Sequence, residues 1–102
     1  MTNDHNASTA DQPFEVPING ILDLHTFQPR EAKDLLPEYL EECRKQGMLE
    51  VRIIHGNGVG VLRETVHSVL RHLSYVLSFK LAGENAGGWG ATLVRLRASD
   101  DD

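Results

Sequence analysis

The sequence predicts an α/β fold of the α+β kind: a two-layer sandwich, ordered βαβαββ, with a four-stranded mixed sheet and two helices on one face. Three observations carry this reading. Two apolar stretches with helical spacing alternate with short period-two stretches, the pattern of strands joined by right-handed helical crossovers. The last two period-two stretches have no helix between them, only a loop with four glycines, which makes them a hairpin. Two helices cover only one face of such a sheet, so the other stays open.

The first strand lies in GILDLH (20–25), where Ile21, Asp23 and His25 alternate with Leu22 and Leu24. A helix follows. Pro29 suits its first position, where a missing N–H costs nothing. Ala32, Leu35, Leu36, Tyr39, Leu40 and Cys43 recur at three- and four-residue steps as one apolar stripe. Arg44 and Lys45 meet the negative end of the helix dipole, and Gly47 is a stop. Pro37, on the polar side, predicts a kink or a restart. EVRIIH (50–55) is the second strand, its apolar middle fitting one covered face at least. The second helix runs from residue 60 to residue 73 and buries Leu62, Val66, Val69, Leu70 and Leu73. VLSFKLA (76–82) and ATLVRLR (91–97) flank the loop GENAGGWG (83–90) and complete the hairpin.

At 102 residues and 40% apolar, the chain is one domain with a modest core. Its one cysteine, Cys43, excludes an internal disulfide and a multi-cysteine zinc site, and its helical position predicts a buried, inert thiol. The opening MTNDHNASTADQPFEVP lacks the basic and apolar regions of a signal peptide, and no apolar run is long enough to span a membrane. A cytoplasmic protein, monomeric by default and without membrane contact, is expected. The net charge of −5 is unevenly spread. Six acids and no Lys or Arg fall in two flexible tails, 1–17 and 98–102, which leaves nine acids against ten bases in the body at 18–97. Five of those nine lie on the first helix, so the rest of the body is locally basic. The tails either solubilise the chain or compete with an anionic ligand for that basic surface.

The stretch IIHGNGVG (53–60) links the second strand to the second helix. Ligands of open α/β sheets bind beyond the carboxyl ends of parallel strands, and here both such strands end in histidine, His25 and His55. Glycines let an anion approach the backbone, and the free N–H groups of the helix's first turn point at it. Arg63 could add a bidentate phosphate contact. The spacing is neither a Walker loop nor the dinucleotide fingerprint, and a tight connection without ligand fits the same residues. Asp23 and His25, two apart on a strand, share a face, where the aspartate can hold the imidazole's tautomer for general acid/base work. Equally, Asp23 can be a cap and His25 an ordinary surface histidine. Asp23, His25 and His55 are compatible with a divalent metal, magnesium or manganese, but the spacing does not demand one. His67 and His72 read as surface or boundary residues. Trp89 either stacks on a nucleobase or covers the sheet edge.

LDLH at 22–25, HGNGVGVLR at 55–63 and GGWGATLVRL at 87–96, in this order, resemble the Smr (small MutS-related) domain over residues 18–97. The resemblance implies a two-layer βαβαββ sandwich similar to the C-terminal domain of translation initiation factor three. It also implies DNA or RNA binding, with nicking or ribonucleolytic endonuclease activity in several members. It ties Asp23 and His25 to cleavage, and ties His55, Gly56, Gly58 and Gly60 to nucleic-acid binding and chemistry. Two positions depart from the family pattern. Thr26 stands where glycine is common, and Asn57 replaces the usual lysine of the loop, which removes one phosphate-directed charge and about one unit of salt dependence.

The expectation is thus a stand-alone Smr-type domain with weak endonuclease activity. Asp23, His25 and His55 carry the chemistry, and Gly56, Asn57, Gly58, Gly60, Arg63 and Trp89 hold the nucleic acid. No cofactor is required by the residues themselves. A binding module without chemistry is the alternative, favoured by Asn57. A small-molecule phosphate enzyme fits less well, because an open sheet face offers a groove rather than a closed pocket.

Overall fold

The computed structural model describes residues 17–57, 60–83 and 90–99. The two acidic tails fall almost wholly outside these residues, as do Gly58 and Trp89. The elements are β1 (Ile21–Asp23), α1 (Pro29–Lys45), β2 (Glu50–Ile54), α2 (Val61–Arg71), β3 (Val76–Leu81) and β4 (Ala91–Leu96). The order is the predicted βαβαββ, with ends displaced by two residues at most.

The strands lie in the order β1-β2-β4-β3. β1 and β2 are parallel, and β4 runs antiparallel to both of its neighbours. The last hairpin therefore inserts its second strand between β2 and β3, so the crossover through α2 skips a position. Register places Ile53 beside Leu22 and Thr92, and Val94 between Val51 and Phe79. These residues belong to the covered parity of the sheet. Leu22, Val51, Ile53, Val94 and Leu96 are buried with Leu36, Tyr39 and Leu40 of α1 and Val66 and Leu70 of α2. Residues of the other parity, such as Ile21, Glu50, Lys80 and Arg95, are exposed, so both helices cover one face.

α1 is closed at both ends by its own sequence. The Gln28 N–H donates to Glu31 Oε1 at 2.9 Å, satisfying a donor at the start. At the other end Gly47 adopts φ +79°, the left-handed conformation glycine takes without strain. There the Met48 N–H reaches the Cys43 carbonyl at 2.8 Å and the Gly47 N–H reaches that of Arg44 at 3.0 Å. Pro37 does not make the helix restart: α1 continues unbroken through it. Pro37 is half-buried rather than on a fully polar face, and its carbonyl accepts the Tyr75 hydroxyl at 3.2 Å. Arg44 lies over the Tyr75 ring, 4.5 Å from its centroid, and donates through Nε to the Arg97 carbonyl at 2.9 Å. These contacts tie α1 to the start of β3 and the end of β4. Cys43 is buried and unbridged, and burial pushes its thiol pKa up, as an inert thiol requires. No helix among the described residues is long and apolar enough to cross a membrane.

Candidate functional site

Because β1 and β2 are adjacent and parallel, their carboxyl ends open on one edge of the sheet. The Leu24 N–H donates to the Ile54 carbonyl at 2.7 Å, extending the pairing one step past β1. Leu24 is buried, and this turns Asp23 and His25 outward. Asp23 Oδ1 accepts two hydrogen bonds from His25, one from the backbone N–H at 3.0 Å and one from Nδ1–H at 2.6 Å. A carboxylate only accepts, so the proton sits on Nδ1 and leaves Nε2 as the ring nitrogen available to a ligand. The side-chain bond to His25, then the backbone bond, holds the Asp23 carboxyl below its usual range. Both side chains stay about half exposed, 56% for His25 and 50% for Asp23.

His55, at the end of β2, lies in a different environment. It is buried, and its backbone N–H and that of Gly56 both donate to the Gly90 carbonyl, at 2.8 and 2.9 Å. Its Nδ1 lies 3.2 Å from the Gly56 carbonyl, which can only accept, so Nδ1 carries the proton. Nε2, 2.8 Å from Thr92 Oγ1, then accepts the threonine's proton. That leaves Thr92 Oγ1 to accept from His67 Nε2–H, also at 2.8 Å. The result is a directed chain from His67 through Thr92 to His55 and the loop backbone, in which both imidazoles are neutral. Burial pushes both histidines below their usual pKa; the Arg63 charge adds to this for His55, and His55 itself for His67.

The loop between β2 and α2 completes the site. Gly56 takes φ +87°, the left-handed region that favours glycine, and lies beside His25, whose Cβ would be in ordinary contact, at 3.6 Å, with a Cβ there. Gly90 packs against it, and a Cβ there would sit 3.3 Å from the Gly56 backbone and from Asn57 Oδ1. Gly60, at φ +94°, precedes α2, with the Arg63 guanidinium folded back over it. The first-turn N–H groups of α2 lack helical partners and carry the positive end of the dipole. A groove of about 430 Å³ is lined by His25, His55, Gly56, Asn57, Gly60 and Arg63, together with the apolar Phe27, Pro29, Val61 and Leu62. An anion in it would meet the exposed His25 imidazole, one guanidinium and a helix start.

Of the residues singled out from the sequence, Asp23, His25, His55, Gly56, Asn57, Gly60 and Arg63 therefore converge, whereas Gly58 and Trp89 lie outside the described residues. Asp23, His25 and His55 do not form a three-donor cluster: among the described residues no group of three His, Cys, Asp or Glu side chains is placed to hold a metal ion. The reading from sequence missed Gly90, Thr92 and His67. All three matter through β4, whose place beside β2 the order of elements does not reveal. His67 is half-buried, a boundary residue as expected, but its ring nitrogen serves the wall of the site. His72 is exposed, and its Nδ1–H donates to the Ser68 carbonyl at 2.8 Å.

Residues 22–97 match the family profile described as the Smr domain. Among curated proteins, the chain is 41% identical over 73 residues to endonuclease MutS2 of Thermomicrobium roseum, and 45% identical over 73 residues to that of Streptococcus gordonii. Each match covers 72% of this chain but 9% of the relative, so the chain spans about a tenth of the length of those proteins. Among solved structures, the Smr domain of Thermus thermophilus MutS2 superposes with a TM-score of 0.73 at 37% identity, over 78% of this chain and 99% of that one. YdaL, a stand-alone small MutS-related protein from Escherichia coli, also gives 0.73, at 26% identity, over 79% of this chain and 66% of that one. With the sheet order, the strand-end histidines and the glycine-bounded loop all in place, the chain belongs to the Smr domain family.

Proposed function

We propose that this Smr domain binds DNA or RNA along the edge formed by β1 and β2 and cleaves a phosphodiester bond there, as a weak endonuclease. The observation that carries the reading is the Asp23–His25 pair, in which Nδ1 is engaged by the carboxylate and Nε2 is not, on a histidine that lines the same groove as Arg63 and the start of α2. A phosphate in that groove would be held by the guanidinium and the free backbone N–H groups. His25 Nε2 takes the proton of the attacking hydroxyl, from water or a ribose 2′-OH, as the oxygen bonds to phosphorus. The bond from phosphorus to the leaving oxygen breaks, that oxygen takes a proton from solvent, and the His25 imidazolium returns its own proton to solvent. Asp23 keeps the ring oriented and stabilises the imidazolium formed on the way. His55 acts through the loop it holds. The name endonuclease MutS2 of the relatives supports the same chemistry.

Cleavage of supercoiled plasmid and of structured RNA, with and without magnesium or manganese, tests this. His25→Ala and Asp23→Ala are expected to lower the rate by about 10²–10⁴-fold while gel-shift affinity is retained. Cleavage unchanged in both variants removes the mechanism. A second reading, a binding module without chemistry, is favoured by Asn57, which supplies no cation at the centre of the loop. Binding by the parent with no cleavage under any metal condition selects it.

A further inference from the structure

The sheet face turned away from the helices takes no part in the groove described above. Register across it sets Ile21, Arg52, Leu93 and Lys80 side by side, and Glu50, Arg95 and Ser78 in the adjoining row. These residues border a shallow depression of about 660 Å³. Its charges are three cations and one carboxylate, on a protein whose net charge is −5. None of Arg52, Lys80 and Arg95 joins the ion pairs found among the described residues. Half-buried Leu93 stands between Arg52 and Lys80, and Ile21, 53% exposed, lies beside Arg52 at the edge of the sheet, both as aliphatic surface.

Solvation alone does not call for such a face. Cross-strand pairs of opposite charge are favourable, yet only Arg95 has an acidic register partner, Glu50; Arg52 and Lys80 face aliphatic residues. A second copy of the chain, face to face, would set cations against cations. A duplex would offer its phosphates but keep its bases stacked inside, out of reach of Ile21 and Leu93. A single strand offers both: phosphates for the cations and apolar base faces, free of pairing, for contact with the aliphatic side chains. The next row along the strands on this same face is Asp23, Ile54 and Ala91. A strand lying across Lys80 and Arg52 reaches β1 at Ile21, two residues before Asp23.

We propose that the open sheet face is a binding surface for single-stranded nucleic acid and that the domain's substrate is unpaired where it is cut. The surface rests on its own charge and geometry; only its link to cutting rests on the proposed function. Fluorescence anisotropy with a labelled single strand and with a blunt duplex of the same sequence tests it, in the full chain carrying Arg52→Gln, Lys80→Gln and Arg95→Gln together. Circular dichroism checks that the variant is folded. The single strand is expected to bind at least tenfold more weakly, with a log–log salt slope reduced by about 2, since each lost phosphate contact removes about 0.7. Duplex binding is expected to stay at the parent's level, whereas Arg63→Gln weakens both. Parental affinity and salt slope for the single strand in the triple variant overturn the proposal, as does a parent that binds no single strand. Cleavage assays separate the two readings. If the parent cuts nucleic acid and the triple variant binds and cuts as the parent does, only the surface falls. If the triple variant loses single-strand binding but the parent cuts nothing, only the nuclease falls.

Discussion

Thr92 holds a single hydroxyl between two imidazoles, with Oγ1 2.8 Å from Nε2 of both His55 and His67. Valine has nearly the same shape and no hydroxyl. In Thr92→Val the acceptor on His55 and the donor on His67 both lose their partner, at about 1–3 kcal/mol for each buried orphan. A loss of about 2–4 kcal/mol in urea unfolding is expected, with Thr92→Ser recovering most of it; no loss would mean that the hydroxyl does not bridge the rings. This is also where the sequence was least legible. Asp23 and His25 could be read because two residues on one strand must share a face, and their hydrogen bond needs nothing from elsewhere. His55 could be placed at the end of its strand, but its burial comes from Thr92 and His67, 37 and 12 residues further along the chain. No local pattern reports that distance.

α1 shows how an element survives a residue that opposes it. Pro37 lacks the N–H that would reach the carbonyl four residues back, a defect worth about 3 kcal/mol in an isolated helix. The stripe buried against the sheet, the Schellman-type end at Gly47 and the Arg44 contacts hold the helix together across it. Pro37→Ala is therefore expected to raise stability by about 1–2 kcal/mol, the helix gain being partly offset by a freer unfolded chain. Tyr75 keeps its bond, since the acceptor is the backbone carbonyl. A lower thermal midpoint in that variant would show that the proline ring packs more favourably than its missing donor costs. The periodicity that located α1 was legible because six apolar residues repeat over three turns. Of the kink or restart expected at Pro37, the restart does not occur, because tertiary packing outweighs a single missing hydrogen bond. Strand order was not legible at all. A hairpin can add to either side of its neighbour, and alternation of side chains is the same in both arrangements.

At the scale of the whole molecule, the two neutral histidines make the fold sensitive to acid. Their pKa values are pushed below the ordinary 6.5, so the unfolded chain binds more protons than the folded one as pH falls through that value. Their contribution is fully present above about 6.5, shrinks as pH drops towards the lowered folded values, and is lost below them. Asp23, lowered from 3.8, acts in the same direction at more acidic pH, weakly because it is half exposed. The thermal midpoint is expected to fall between pH 7 and pH 5, and less steeply in His67→Gln; a flat profile over that range would mean that neither ring is held neutral. Family membership was legible because three motifs stand in register, and their spacing reflects this whole arrangement. One consequence follows from the placement of β4 beside β2. The loop that follows His55 is anchored by the Gly90 carbonyl, and Gly90 immediately precedes the last strand. During synthesis, a nascent chain that has exposed both motif histidines still lacks that anchor, so the backbone after His55 gains its hydrogen bonds to Gly90 only once β4 has emerged and zipped into the middle of the sheet.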